Sequence, residues 1–99
     1  MDIIENISDA IDSIRNDIKL CNGNKKILAD KYNVYFDGLK SNSIRLDLLN
    51  KILKEQFNIV INADDLLNVL KKISEKDKIE IVKYSNLQKV PRYLYYINI

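Results

Sequence analysis

The chain has 99 residues, with 16 Lys plus Arg against 14 Asp plus Glu, a net charge of +2, one cysteine and no histidine. That length suits a single domain spanning 1–99, able to bury about two-thirds of the surface it exposes when unfolded. A lone Cys21 makes no internal disulfide or structural zinc site, and a chain without histidine has no imidazole base or Ser-His-Asp triad. The expectation is a protein that is not an enzyme and needs no metal or cofactor.

The charge is unevenly spread. Residues 1–24 sum to −3, residues 25–62 to +3 and residues 63–99 to +2. The opening Met1-Asp2-Ile3-Ile4-Glu5-Asn6 is acidic where a targeting peptide is basic. No apolar run approaches the roughly 18 to 20 residues of a membrane span. A cytoplasmic protein with no membrane partner is expected.

The first segment, 3–21, carries Ile4, Ile7, Ile11, Ile14 and Ile18, then Cys21, at alternating three- and four-residue spacing. This spacing predicts one apolar helix face, with Asp9, Asp12, Ser13, Asn16 and Asp17 outside it. Asn22-Gly23-Asn24 predicts its end. The stripe has two uses open to it, packing on its own chain or dimerisation; isoleucine at both core positions of a heptad favours multi-stranded packing. Cys21, at the end of the stripe, is expected as a small buried hydrophobe.

Leu28, Tyr32, Tyr35, Phe36 and Leu39 predict a helix from about Lys25 to Phe36, closing at Gly38. Ser41-Asn42-Ser43 offers caps for a helix over 43–57 whose inner face is Ile44, Leu48, Leu49, Ile52, Leu53 and Phe57. Asn58-Ile59-Val60-Ile61 is β-branched and extended in character. Asn62, with Asp65 three residues on, predicts a capped helix from Ala63 to about Glu75, with Leu66, Leu67, Val69, Leu70 and Ile73 inward. Residues 79–84 and 92–99 read as strands joined by a polar stretch with Pro91 at its margin, making a long hairpin. Tyr93 and Tyr95 fall on one strand face with Ile97 and Ile99, and Tyr96 on the other with Leu94.

From Leu48 to Ile99, the run Asn-Ile-Val-Ile-Asn-Ala-Asp-Asp-Leu-Leu-Asn-Val-Leu-Lys-Lys-Ile is followed by Lys78-Ile79-Glu80-Ile81 and Arg92-Tyr93-Leu94-Tyr95-Tyr96-Ile97. This order resembles the winged helix-turn-helix superfamily over about half the chain. The fold class so implied is α+β, mainly helical: an N-terminal amphipathic helix, a winged-helix body over 25–99 and a C-terminal β-hairpin as the wing. The resemblance makes 63–75 the recognition helix, presenting Asn68, Lys71, Lys72 and Glu75, with Lys83, Lys89 and Arg92 on the wing. Asparagine pairs with adenine, and lysine and arginine reach guanine or phosphate. Double-stranded DNA is then the expected partner.

Asp64-Asp65 stands against groove reading, because carboxylates at the N-terminal end of a recognition helix repel phosphate while favouring the helix itself. A second placement puts the first helix and turn of a helix-turn-helix at Leu28-Ala29-Asp30-Lys31-Tyr32-Asn33-Val34. Two functions stay open: a dimeric DNA-binding regulator of transcription or of a mobile element, or a protein-interaction module, either adaptor subunit or inhibitor, on the same fold.

Overall fold

A computed structural model describes residues 2–34, 36, 42–83 and 95–99. Its described elements are α1 (Ile3–Leu20), α2 (Lys25–Tyr32), β1 (Ser43–Arg45), α3 (Leu46–Phe57), α4 (Ala63–Asp77), β2 (Glu80–Lys83) and β3 (Tyr95–Asn98). The fold is α+β and mainly helical, with a small antiparallel sheet.

The helices begin and end where local chemistry dictates. Asp2 caps α1 by accepting from the Ile4 N–H at 3.0 Å, and Asn24 caps α2 by accepting from Lys26 and Ile27. Asparagine then stops two helices from the other side. Asn33 after α2 and Asn58 after α3 are left-handed, with φ of 58° and 56°, a conformation that asparagine tolerates better than most residues.

Asn33 corrects the expected extent of the second helix, which ends at Tyr32 rather than Phe36. The apolar period misleads because Val34 and Phe36 are buried without being helical, and the Phe36 ring lies 6.3 Å from that of Tyr32. Asp37 and Gly38, the expected closing turn, lie outside the described residues.

The helix expected over 43–57 is also shorter, because its first residues form β1. β1 pairs antiparallel with β3, and β3 pairs antiparallel with β2, giving the order β1-β3-β2. Ile44, Ile97 and Ile81 therefore fall in one row across the sheet, and Ile44 and Ile97 are completely buried. The adjacent row is Ser43, Asn98 and Glu80. The Ser43 hydroxyl donates to Asn98 Oδ1, and Asn98 Nδ2 donates to Glu80 Oε1 at 3.0 Å. A pair of bonds between Asn42 and Ile99 continues this edge.

The core lies where α1, α3 and α4 meet the inner sheet face. Ile7, Ile11 and Ile14 of α1 are fully enclosed in it, with Ile4 and Ile18 partly covered at the ends of the stripe. Of the two uses open to the stripe Ile4, Ile7, Ile11, Ile14 and Ile18, packing on its own chain accounts for Ile7, Ile11 and Ile14, while Ile4 and Ile18 keep some exposed surface. A side chain with no exposed surface has none to offer a second copy, so Ile7, Ile11 and Ile14 serve their own chain. Cys21 is half-buried against the same core.

Over its described residues β3 keeps the expected alternation, while Tyr93 and Leu94, expected in the same strand, lie outside the described residues. Ile97 and Ile99 are buried and Tyr95 packs on the core, while Tyr96 lies in register with Arg45 and Val82. Among the described residues, no helix is long and apolar enough to cross a membrane.

Candidate nucleic-acid interface

α4 is amphipathic, and its apolar side is used completely. Leu66, Leu67, Val69, Leu70 and Ile73 are buried, and the helix packs on α3, α1 and β2. The opposite face carries Asn68, Lys71, Lys72 and Glu75, all exposed. Their three- and four-residue spacing sets them in one stripe along the helix, with the exposed Asp64 at its head.

The two neighbouring aspartates differ in their surroundings. Asn62 Oδ1 accepts from the Asp65 N–H at 2.8 Å, and Asn62 Nδ2 donates to Asp65 Oδ2 at 2.9 Å. Asp65 is thus held in a reciprocal cap, a structural use of the charge at the positive end of the helix. Asp64 makes no such bond to the cap and is exposed at the head of the polar stripe.

Three contacts fix the pose of α4. At its start, Asn50 of α3 donates from Nδ2 to the Ile61 carbonyl at 2.9 Å, which ties the α3–α4 link to the preceding helix. At its end, the Ser8 hydroxyl donates to Asp77 Oδ2 at 2.6 Å. The Arg15 guanidinium donates to the Asp77 carbonyl and, at 3.3 Å, to that of Lys78. Those carbonyls are at the negative end of the helix and lack partners within it. Arg15 therefore caps α4 from another element, a role absent from the sequence reading because its partners lie 62 and 63 residues away.

Of the residues expected to meet DNA, the structure brings Asn68, Lys71 and Lys72 onto one face. It sets the exposed Lys83 at the end of β2, the strand that packs against α4. Lys89 and Arg92 lie outside the described residues. Among the described residues, no helix directly follows the alternative helix-turn-helix over 28–34, and residues 35 and 37–41 lie outside them. The next described helix, α3, is reached only through β1.

A second polar cluster, also absent from the sequence reading, joins α1 to α2. The Tyr32 hydroxyl donates to Asp17 Oδ2, Lys31 Nζ lies 2.8 Å from the same oxygen, and Lys31 sits 5.7 Å from the centre of the Tyr32 ring. The Lys31 ammonium, helped by the Tyr32 hydroxyl, holds the Asp17 carboxyl below its ordinary value. Burial, then the bond to Asp17, pushes the Tyr32 hydroxyl well above the usual tyrosine range. Both shifts favour the bonded state in which carboxylate accepts and phenol donates. Local periodicity gives no signal for it, since Asp17 falls outside the apolar face of its helix and Tyr32 within that of its own, 15 residues apart.

No protein-family profile, curated protein or solved structure matches this chain. Among the described residues no three of Cys, Asp and Glu converge on a point that could hold a metal ion.

Proposed function

We propose that this chain is a small non-catalytic winged-helix protein that binds double-stranded DNA through the outer face of α4. The observation that carries the reading is the placing of Asn68, Lys71 and Lys72 in one exposed stripe, on a helix pinned at both ends. A fixed helix with its polar face free is what insertion into a major groove requires. The element order α3, α4, β2, β3 agrees with the winged-helix resemblance, and the exposed Lys83 begins the basic stretch that continues through Lys89 and Arg92. In this reading Asn68 contacts a base edge, and the lysines contact guanine or phosphate. A regulator of transcription or of a mobile element is the biological role that such a module serves. Because Ile7, Ile11 and Ile14 are enclosed, a DNA-binding dimer would need surface beyond these three.

The test is anisotropy of a labelled duplex titrated at several salt concentrations. Lys71→Ala with Lys72→Ala should weaken binding across all sequences and reduce the salt slope by about two. Unchanged affinity in this variant and in Asn68→Ala would remove α4 from the interface. A second reading, a protein-interaction module on the same fold, is favoured by one observation: Asp64 exposed at the head of the stripe. Failure to retain any duplex at ~50 mM salt would transfer support to it.

A further inference from the structure

An open groove of about 380 Å³ lies where three parts of the chain meet. Its lining comes from α1 (Arg15, Ile18 and Lys19), from the end of α4 (Asp77 and Lys78) and from the residues that flank β1 and β3 (Asn42 and Ile99). These parts are tied to one another. The Arg15 guanidinium donates to the carbonyls of Asp77 and Lys78, which joins α1 to α4. The Ile99 N–H donates to the Asn42 carbonyl at 3.0 Å, and Asn42 Nδ2 donates to the Ile99 carbonyl at 3.4 Å, which joins the two strand ends. The groove is therefore a property of the packed fold rather than of a single loop.

Its charges are not equally committed. Arg15 is engaged by the two carbonyls and by Asp12, whose carboxylate lies 3.6 Å away. The Asp77 carboxylate accepts from the Ser8 hydroxyl at 2.6 Å. Lys19 and Lys78 are exposed, and among the described residues neither ammonium is ion-paired. With Asp77 counted, the lining side chains still sum to +2. Beside the two lysines is Ile18, which packs on the core yet keeps part of its surface open.

We propose that this groove binds a small amphiphilic anion, a carboxylate with a short aliphatic tail, its head held by Lys19 and Lys78 and its tail laid over Ile18. Charge selects the head, since the lining attracts an anion and repels a cation. The aliphatic stems of Arg15 and Lys19 extend the apolar surface that Ile18 begins. The volume falls within the range of roughly 300 to 1,000 Å³ typical of small-molecule sites. A duplex phosphate would use the lysines and leave Ile18 unused, so an organic anion is the better fit. Neither Lys71 nor Lys72 lines the groove, and the proposal stands whether or not α4 binds DNA.

The probe is hexanoate, titrated into the ¹⁵N-labelled full chain while amide chemical shifts are followed, with hexylammonium and acetate as comparisons. Saturable shifts centred on Ile18, Lys19, Asn42 and Lys78 are expected, with a dissociation constant of roughly 1 mM for so small a ligand. Hexylammonium should bind at least about tenfold more weakly and acetate about fivefold more weakly. Lys19→Gln with Lys78→Gln should weaken hexanoate about fivefold or more, whereas Lys26→Gln with Lys54→Gln, an equal loss of charge outside the groove, should leave it unchanged. Circular dichroism identifies a variant that fails to fold; Lys19→Gln alone then carries the test. Equal affinity for hexanoate and hexylammonium, or for hexanoate and acetate, overturns the proposal, as does an equal effect of the two lysine pairs. A response of these same residues to duplex DNA that hexanoate fails to produce would make nucleic acid the occupant and overturn it too.

Discussion

Arg15 of α1 donates to the main-chain carbonyl of Asp77, the last residue of α4. The bond joins the fourth turn of the first helix to the tail of α4, and Ser8 reaches the side chain of the same aspartate from two turns earlier on α1. A single residue of α4 is therefore gripped twice by α1, through its backbone and through its carboxylate. The orientation of the exposed α4 face depends on this grip as much as on the leucines beneath it.

Arg15→Ala should cost about 1–2 kcal/mol, the worth of charged hydrogen bonds at a helix C-terminus after allowance for partial exposure. Urea denaturation measures it. Ser8→Ala should cost about 1 kcal/mol, and a double-mutant cycle between the two should show coupling above about 0.5 kcal/mol because they share Asp77. Strict additivity would mean that the two contacts act separately.

The Asp17–Tyr32 bond predicts stability changes at both ends of the pH scale. Asp17 has a folded-state pKa below its ordinary 3.8, so its contribution is full above that value and is lost as pH falls through the folded pKa. Tyr32 is shifted upward from 10.0, so its contribution is full below that value and is lost as pH rises above it towards the folded pKa. Denaturation midpoints measured from pH 2 to 11 should decline at both extremes. Asp17→Asn should flatten the acid arm and Tyr32→Phe the alkaline one; steep arms persisting in both variants would place the titrating groups elsewhere.

Lys78 follows α4 in the left-handed region, with φ of 55°, where a Cβ is crowded. Its backbone completes the helix end, since the Lys78 and Ile79 N–H groups both donate to the Ser74 carbonyl. Lys78→Gly should therefore raise stability by about 0.5 kcal/mol, relief of strain exceeding the added flexibility of the unfolded chain. Lys78→Val should lower it. Thermal melts of the pair give opposite shifts if the conformation is as described.

Ile11 is fully enclosed, so Ile11→Ala should cost about 2–5 kcal/mol through lost burial and a residual cavity. Placing aspartate at both Ile11 and Ile14 should unfold the chain. Sedimentation of that double variant as a folded monomer, from a parent of twice the mass, would show instead that the stripe is an interface.

Much of the helical architecture was legible because it is written in periods and caps. The stripe from Ile4 to Ile18, the Asn62–Asp65 cap and the inward leucines of α4 are local patterns, and local patterns survive without knowledge of what they pack against. The sign and exposure of Asn68, Lys71 and Lys72 follow from the same periodicity. β1 was not legible: three residues give no alternation to count, and Ile44 suits a helix face as well as a strand. What makes it a strand is β3, more than fifty residues later, whose free edge it completes. The early end of α2 was obscured in the same way, since Val34 and Phe36 are buried by neighbours rather than by a helical repeat.

The amino-acid order by itself determined which segments are amphipathic, where most helices start, and that an acidic first helix precedes a basic remainder. Those properties depend on neighbours a few residues apart. Only the tertiary structure decided that Ile7, Ile11 and Ile14 belong to the chain's own core, that Arg15 caps α4 and that Tyr32 and Lys31 converge on Asp17. Each of these joins groups distant in sequence, and a periodic face states that it will be covered without stating by what.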